Sequence, residues 1–375
     1  MKFGIPKETG RHEHRVGLTP YGVSRIRGAG SEVIVEHDAG SDSRFADQAF
    51  IDTGATIAYR PEEIYGRSDL VCQVGKVTSD QAILMRAGSA VCGFMHVAVM
   101  PRETVAVLAE RELTVLGWEI VEDEEGAHPV LRALSEIAGH MTMQWAADLL
   151  QYENGGRGIV LGNIPGIPPA TVLILGAGAV GWTAARHALQ TGAHVIVMDP
   201  DLSRLRRALE HGCAHAVTAV VSERNLRRFL PVADVLVGAV MGTPGREPYV
   251  VTEEMVKTMK PGSVILDLAI DHGGCVETSR PMTLDDPTFV VHGVIHCCVP
   301  NVTSNAPRTA SRALALAAIP YLSGIAERGL EGALRSYRGL SRGIYLYRGV
   351  PVHPLAASAL GAQPRRIEDL LPSQS

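Results

Sequence analysis

The sequence predicts an α/β protein with two doubly wound sheets. Short apolar runs alternate with stretches of helical periodicity along nearly all of its 375 residues, which is typical of repeated β–α–β units. The apolar runs lack the polar alternation of half-exposed strands, and this favours parallel strands buried on both faces. A Gly/Pro-rich stretch at 154–170 separates the runs into two series, so we expect two sheets.

The predicted elements follow in chain order. The candidate strands are residues 2–5, 32–36, 70–74, 90–95, 113–119, 171–176, 194–199, 234–240, 263–269 and 288–293. Helical patterns separate them, for example at 102–111 and 182–191, and SEIAGHMTMQWAADLLQ predicts a long helix that leads into the second series. The region of about 306–347 is also predicted to be helical.

This last helical region has no sheet of its own to cover, so we expect it to pack on the first sheet. The second domain is then an insertion in the first. The predicted first domain comprises residues 1–130 and 307–375, and the predicted second domain comprises residues 131–306. Two domains suit a chain of this length.

Composition excludes several classes of protein. Hydrophobic residues make up 46% of the chain and charged residues 20%, as in an ordinary globular protein with a sizeable core. The formal net charge of -5 gives no electrostatic reason to expect a nucleic acid or an anionic membrane as partner. No apolar run reaches the roughly 18 residues of a membrane-spanning helix, and MKFGIPKETG lacks the apolar region of a signal peptide.

The cysteines indicate a reducing compartment. They are scattered and none has CxxC spacing, so we expect buried thiols, no metal site and a cytoplasmic protein. They are Cys72, Cys92, Cys213, Cys275, Cys297 and Cys298.

The segment VLILGAGAVGWTAARHAL predicts a bound dinucleotide. Gly176, Gly178 and Gly181 have GxGxxG spacing between a predicted strand and a predicted helix, and Asp199 ends the next strand about twenty residues on. The first glycine allows a tight turn, the second lets a pyrophosphate approach the backbone, and the third lets the helix pack on the strand. The N–H groups at the helix N-terminus favour the phosphates.

Asp199 favours NAD over NADP. Its carboxylate can accept hydrogen bonds from the adenosine ribose, and its charge repels a 2′-phosphate. Arg204 is the opposing signal, because a nearby arginine can accommodate that phosphate. An arginine at this position can also lie over the adenine or in solvent.

Polar residues just beyond strands are candidates for reacting groups, because ligands of open α/β sheets bind at the carboxyl ends of the strands. Lys76, His96, Asp271 and Asn301 each follow an apolar run, and Arg15 lies in the loop after the first one. They belong to both predicted domains, so they could converge only in a cleft between the two. Each also has a structural alternative, such as a surface lysine, a core histidine or a turn-forming aspartate.

The candidates form a coherent chemistry. Arg15 and Lys76 are cations suited to a carboxylate and a carbonyl oxygen. His96 is a general acid or base near neutral pH, and Asp271 can stabilise an ammonium or relay a proton. Such a set suits a 2-oxo acid or an amino acid beside NAD.

The sequence resembles the alanine dehydrogenase family nearly from end to end. The resemblance rests on GIPKETGRHEHRVGLTP, SEIAGHMTMQ, GGRGIVLGNIPGIPPATVLILGAGAVG, MKPGSVILDLAIDHGGCVETSRP and HCCVPNVTSNAPRTAS, which together are far more specific than GxGxxG. It implies two Rossmann-like domains, with the NAD domain (131–306) inserted in the substrate domain. It also implies a homo-oligomer, commonly a hexamer.

The resemblance implies roles for single residues. Arg15 and Lys76 fall where the family binds the substrate carboxylate and carbonyl, and His96 and Asp271 fall where its catalytic histidine and aspartate lie. The positions that match its nucleotide contacts are Ser135, Ala179, Val180, Asp199, Val240, Met241, Leu268, Ala269, Ile270, Asp271, Arg280, Val299, Asn301 and Val302.

Two positions near the substrate methyl group depart from the family's pattern. Leu134 stands where the family usually has methionine before SEVAG, and Pro300-Asn301-Val302-Thr303 stands where it usually has ANMP. Leu134, Asn301 and Val302 are therefore the predicted substrate contacts that set side-chain preference. A change of one methylene in an apolar pocket shifts specificity by about 1–3 kcal/mol.

The sequence therefore predicts NAD-dependent, reversible oxidative deamination of L-alanine to pyruvate and ammonia. One alternative is an amino-acid dehydrogenase or imine reductase that acts on a different 2-oxo acid. Another is an NAD(H)-binding component like that of the proton-translocating transhydrogenase, which has no need of Lys76, His96 and Asp271 together. A third is a catalytically silent NAD sensor.

Overall fold

The chain forms two α/β units. The computed structural model describes residues 1–240 and 250–372. The first unit runs from Met1 to Leu134 and resumes at Ser304, and the second unit is Ser135–Thr303. The second unit thus interrupts the first in sequence. Which unit binds the substrate and which binds the dinucleotide stays a prediction.

The strands are short and apolar. Within the described residues they are β1 (Lys2–Ile5), β2 (Glu32–Glu36), β3 (Thr56–Ala58), β4 (Leu70–Cys72), β5 (Ala90–Gly93), β6 (Thr114–Gly117), β7 (Thr171–Leu175), β8 (His194–Met198), β9 (Val217–Ala219), β10 (Val235–Gly238), β11 (Val264–Asp267), β12 (Thr288–Val291), β13 (Val294–Cys297), β14 (Ile344–Tyr347) and β15 (Val350–Pro351). Every predicted run contains a strand, and most strands end before the predicted carboxyl end.

Helices connect the strands. Within the described residues they are α1 (Pro20–Gly28), α2 (Asp47–Ile51), α3 (Pro61–Arg67), α4 (Ser79–Leu84), α5 (Arg102–Glu110), α6 (Pro129–Leu149), α7 (Ala179–Thr191), α8 (Leu202–Ala208), α9 (Glu223–Phe229), α10 (Glu253–Val256), α11 (Pro307–Ser336), α12 (Arg338–Arg342) and α13 (Pro354–Leu360). The helical prediction for 306–347 was wrong for its last residues, because β14 begins at Ile344 and pairs with β6.

The sheet of the first unit has the order β15-β14-β6-β5-β4-β1-β2-β3. Strands β1 to β6 run parallel, and β14 adds an antiparallel edge. The central strands bury residues on both faces, as adjacent Leu70 and Val71 of β4 show at 1% and 0% exposure. Burial of such a side chain contributes roughly 1.5–3 kcal/mol, and this explains the absence of polar alternation.

The sheet of the second unit has the order β12-β13-β11-β10-β7-β8-β9. All neighbouring pairs from β13 to β9 are parallel, and only β12 is antiparallel. Its two faces pack into separate clusters, one around Val172 and Ile174 and the other around Leu173 and Leu175. The doubly wound architecture predicted from the sequence is thereby confirmed in each unit.

The thiols are all buried and unpaired. Burial raises the pKa of Cys297 to about 12 and that of Cys298 to about 11, so both are thiols rather than reactive thiolates. In the described part of the chain, we find no helix that is both long and apolar enough to cross a membrane.

Candidate active site

Three candidate residues of the first unit lie at one edge of its sheet. Strands β5, β4 and β1 are adjacent and parallel, so their carboxyl ends meet at the same edge. Cys72 is paired in register with Cys92, and Lys76 and His96 each follow four residues later. The loop that carries Arg15 returns to this edge, because a Cβ on Gly17 would overlap the carbonyl oxygen of Cys72.

Arg15 is buried and is held by a residue that the sequence reasoning missed. Its Nε lies 2.7 Å from Oε1 of Glu13 and its Nη2 lies 2.5 Å from Oε2. The backbone N–H of Arg15 donates to the same carboxylate at 3.1 Å. This two-point pairing fixes the plane of the guanidinium. Arg15 as a whole is 5% exposed.

Lys76 is exposed and follows a loop that Glu8 holds. The Glu8 carboxylate accepts the N–H groups of Val74 at 2.5 Å and Gly75 at 3.3 Å. Burial raises the pKa of Glu8 to about 7, with a further increase from Glu13, while the two backbone hydrogen bonds oppose the shift. Glu8 was not among the predicted site residues, because nothing in the sequence shows that it contacts the end of β4.

His96 is half-buried and has a left-handed backbone, with φ 45° and ψ 50°. Its N–H donates to Oε1 of Glu119 at 2.6 Å, and the N–H of Met95 donates to Oε2 at 3.2 Å. Its ring stacks near that of Phe94, with the centroids 6.2 Å apart. The histidine is therefore a loop residue at the sheet edge and not a core histidine.

The predicted nucleotide contacts of the second unit also follow adjacent parallel strands. In spatial order these strands are β13, β11, β10, β7 and β8. The contacts that follow them are Val299, Asn301 and Val302 after β13, Leu268, Ala269, Ile270 and Asp271 after β11, Val240 after β10, Gly176, Gly178, Ala179, Val180 and Gly181 after β7, and Asp199 after β8. Met241 lies outside the described residues.

The glycine turn has the geometry that a pyrophosphate needs. Gly176 has φ 101°, a conformation that favours glycine. A Cβ on Gly181 would overlap the carbonyl oxygen of Gly176, whereas a Cβ on Gly178 would have no atom of the described residues within 4 Å beyond its chain neighbours. Gly178 caps the start of α7, so the open space lies at a helix N-terminus. The residues fit a dinucleotide.

The carboxylate of Asp199 holds this turn by a hydrogen bond to its backbone. Asp199 is 2% exposed, and its carboxylate accepts the N–H of Ala177 at 2.8 Å and that of Asp201 at 2.8 Å. Arg204 is largely exposed and lies 3.8 Å from Asp201. The ribose contact predicted for Asp199 and the preference for NAD over NADP stay predictions.

Asp271 is exposed on the short turn Ile270–His272 after β11. The loop that carries it is held by Asp267, which is fully buried. The Asp267 carboxylate accepts the N–H groups of Ala269 at 3.1 Å, Cys275 at 2.9 Å and Val276 at 3.1 Å. Both ends of the loop are thus tied to one carboxylate, which the sequence reasoning missed.

Three further predicted contacts, Asn301, Arg280 and Ser135, have different surroundings. Asn301 has φ 54° and accepts a hydrogen bond from Thr303 at 3.5 Å. The guanidinium of Arg280 lies 4.4 Å from the ring centre of Phe289. Ser135 is half-buried on α6, the helix that also carries Leu134.

Both positions that depart from the family's pattern are buried. Leu134 is 6% exposed and Val302 is 5% exposed. Each is therefore a packing residue in its own unit, and neither adds a polar group. A role for them in substrate preference stays a prediction.

Comparison with known proteins gives matches over nearly the whole chain. Residues 4–138 match the family described as alanine dehydrogenase/PNT, N-terminal domain, and residues 142–354 match its C-terminal domain. An alanine dehydrogenase of Mycolicibacterium smegmatis is 37% identical over 93% of this chain and 94% of its own. One of Staphylococcus haemolyticus is 36% identical over 99% of both chains.

Solved structures agree with these sequence matches. A structure of L-alanine dehydrogenase is 34% identical, with a TM-score of 0.90, and the match covers 96% of this chain and 99% of that one. A transhydrogenase from Sinorhizobium meliloti has a TM-score of 0.79 over 94% of this chain and 99% of its own, but it is 24% identical. This second likeness concerns the fold alone.

Proposed function

This chain belongs to the alanine dehydrogenase/PNT family, and we propose on that premise that it catalyses the NAD-dependent, reversible oxidative deamination of L-alanine to pyruvate and ammonia. It is an oxidoreductase that acts on the CH–NH2 group of an amino acid. The observation that carries the proposal is the likeness to alanine dehydrogenases along almost the full length of both chains. A transhydrogenase-like component is less supported, because that likeness is of fold only.

The second unit holds the NAD in this proposal. The N–H groups at the start of α7 receive the pyrophosphate above Gly178, where the described residues leave open space. Asp199 fixes the turn, and in this proposal its carboxylate also accepts a hydrogen bond from the adenosine ribose. NAD, when bound, accepts the hydride that leaves Cα of alanine.

The first unit holds the amino acid. Arg15, oriented by Glu13, binds the substrate carboxylate through charge-assisted hydrogen bonds. Lys76 polarises the carbonyl oxygen as it forms and stabilises the developing negative charge. In this proposal, one cation binds the carboxylate of the 2-oxo acid and the other binds its carbonyl oxygen.

His96 and Asp271 move the protons. Loss of hydride from Cα leaves an iminium, and water adds to its carbon. His96 takes a proton from that water and gives it to the nitrogen of the carbinolamine. As ammonia leaves, His96 takes the remaining hydroxyl proton, so that the C–O bond becomes the carbonyl of pyruvate. Asp271 stabilises the ammonium or orients the attacking water.

The first experiment is to follow NADH absorbance with purified protein, ammonium and a panel of 2-oxo acids. We expect the fastest oxidation of NADH with pyruvate and loss of turnover in a His96→Ala variant. NADH binding without turnover of any acid in the panel would contradict the enzymatic proposal. Near-normal turnover in His96→Ala would contradict the role of His96.

A different 2-oxo acid is the second candidate substrate, and the departures of Leu134 and Val302 from the family's methionines favour it. Two buried apolar residues that differ from the family's methionines change the shape of an apolar surface. The same panel, run on the wild type and on a Leu134→Met, Val302→Met double variant, tests this candidate. A preference for a larger acid in the wild type that returns to pyruvate in the double variant would support it.

A homo-oligomer, a hexamer in the family's usual form, and a cytoplasmic location complete the proposal. The buried, unpaired cysteines support a reducing compartment. Sedimentation at several concentrations measures the oligomer, and a monomer throughout would contradict that part of the proposal.

A further inference from the structure

Tyr345 occupies an irregular position on β14, the second strand from the edge of the first sheet. The antiparallel pairing of β14 with β6 shifts register between Ile344 and Leu346, and Tyr345 is the residue between them. Such bulges re-aim a side chain. Tyr345 is 1% exposed, and its hydroxyl lies 2.9 Å from Oε1 of Glu119.

The Glu119 carboxylate joins Tyr345 to the backbone of His96. Oε1 accepts the Tyr345 hydroxyl and the His96 N–H, at 2.9 Å and 2.6 Å, and Oε2 accepts the Met95 N–H at 3.2 Å. The left-handed backbone of His96 is costly for a residue with a Cβ and persists only when its surroundings hold it. The Glu119 carboxylate thus binds the two N–H groups that lead directly into the left-handed residue.

Gly117 leaves the space in which Tyr345 and Glu119 meet. A Cβ on Gly117 would overlap the Tyr345 ring and lie 3.0 Å from Oε1 of Glu119, so only glycine leaves room for the pair. Burial, with a contribution from Glu119, raises the pKa of Tyr345 above its ordinary value. This direction agrees with a protonated hydroxyl that donates to Glu119.

We propose that Tyr345 and Glu119 are positioning residues that act on the reaction through His96. Tyr345 orients the carboxylate of Glu119, and the carboxylate fixes the backbone turn from which the His96 ring projects. This inference rests on the proposed role of His96 in alanine dehydrogenation. It predicts that a tyrosine on β14 controls turnover without touching substrate or NAD.

The test compares Tyr345→Phe with a matched control, Tyr347→Phe. Both tyrosines lie on β14 and donate to a glutamate, but Tyr347 donates to Glu331 at 3.1 Å. We expect Tyr345→Phe to lower kcat by about tenfold, as for loss of a hydrogen bond to a charged group, with the Kd for NADH unchanged. Tyr347→Phe should retain wild-type kcat.

A second readout does not need activity. In protein labelled with 15N-histidine, the His96 amide resonance is assigned by its loss in His96→Gln. We expect it to move in Tyr345→Phe and to stay in place in Tyr347→Phe. If the wild type turns over no 2-oxo acid, the proposed function fails, and the resonance still decides the positioning role.

Equal kcat and equal His96 resonances in the two variants would overturn the proposal. If Tyr345→Phe does not fold, Glu119→Gln replaces it, because an amide nitrogen cannot accept the Met95 N–H. That variant should show the same loss of kcat and the same movement of the His96 resonance. Wild-type values for both would again overturn the proposal.

Discussion

Carboxylates that hold backbone N–H groups recur behind the candidate site residues. Glu8 holds the loop before Lys76, Glu119 holds His96, Asp199 holds the glycine turn and Asp267 holds the loop of Asp271. The N–H groups just beyond a strand have lost their ladder partners, so a buried acceptor must replace them. A carboxylate can accept several at once and makes a rigid base for a reacting side chain.

Glu8 should make the stability of the protein depend on pH. Its pKa is about 7 in the folded chain against an ordinary value of 4.5, so folding favours the protonated form. The stability from this group is fully present below about pH 4.5 and is lost as the pH rises through 7. We expect the free energy of unfolding of the wild type, relative to Glu8→Gln, to fall between these pH values in denaturant titrations. Parallel pH curves for the two proteins would contradict this prediction.

The expectation that polar residues beyond strands form the site identified the candidate reacting residues. It also shows which of the supporting carboxylates could have been predicted. Lys76 and His96 were identified because polar groups beyond parallel strands line the ligand edge. Glu119 and Asp267 also end apolar runs, so the same expectation could have singled them out. Glu8 and Glu13 could not be found in this way, because their partners depend on how the loop after β1 folds back.

At the scale of elements, most central strands could be predicted, whereas β3, β9, β13, β14 and β15 could not. Strands such as β7 and β11 contain uninterrupted Val, Ile and Leu over residues 172–175 and 264–266, and burial on both faces dictates that pattern. β3 and β9 have three residues each, which is too short for periodicity to show. β14 follows a helix directly, and its sequence IYLY is apolar at every position, so only its pairing with β6 distinguishes it.

The start of α7 offers a test of the nucleotide site. Among the described residues, a methyl group on Gly178 would meet no atom within 4 Å beyond its chain neighbours, and the residue has φ −74°, so Gly178→Ala should leave the melting temperature unchanged. We expect the Kd for NADH to rise about tenfold or more, because the methyl group would occupy the space of the pyrophosphate.

Gly28→Ala is the matched control for this variant. A Cβ on Gly28 also has open space, but at the end of α1. It should change neither melting temperature nor NADH affinity. Unchanged NADH binding in Gly178→Ala would place the pyrophosphate elsewhere.

At the scale of the whole molecule, an ion-pair cluster around Asp234 and the candidate nucleotide contacts lie at opposite edges of the second sheet. Asp234 precedes β10 at the amino edge and is 5% exposed. It accepts the N–H of Thr171 at 2.8 Å and pairs with Lys260 at 2.8 Å and Arg157 at 3.1 Å. This cluster joins β7 and β10 where no site residue lies.

Asp234→Asn should therefore affect folding but not binding. Loss of the charge leaves two cations without their partner, and we expect a fall of about 1–3 kcal/mol in the free energy of unfolding. Urea titration measures that change, and an NADH titration of the same variant should give the wild-type Kd. A weaker Kd would show that the two edges are coupled.

The interrupted order of the first unit has a consequence for the time course of synthesis. The ribosome completes residues 135–303 of the second unit before it adds Ser304, and β14 emerges only with Ile344–Tyr347. Until then the outer edge of β6 is unpaired and open to aggregation. Because Tyr345 arrives with β14, the support for His96 is among the last parts to be made. A nascent chain would therefore complete its second unit first and the contacts that hold the His96 backbone last.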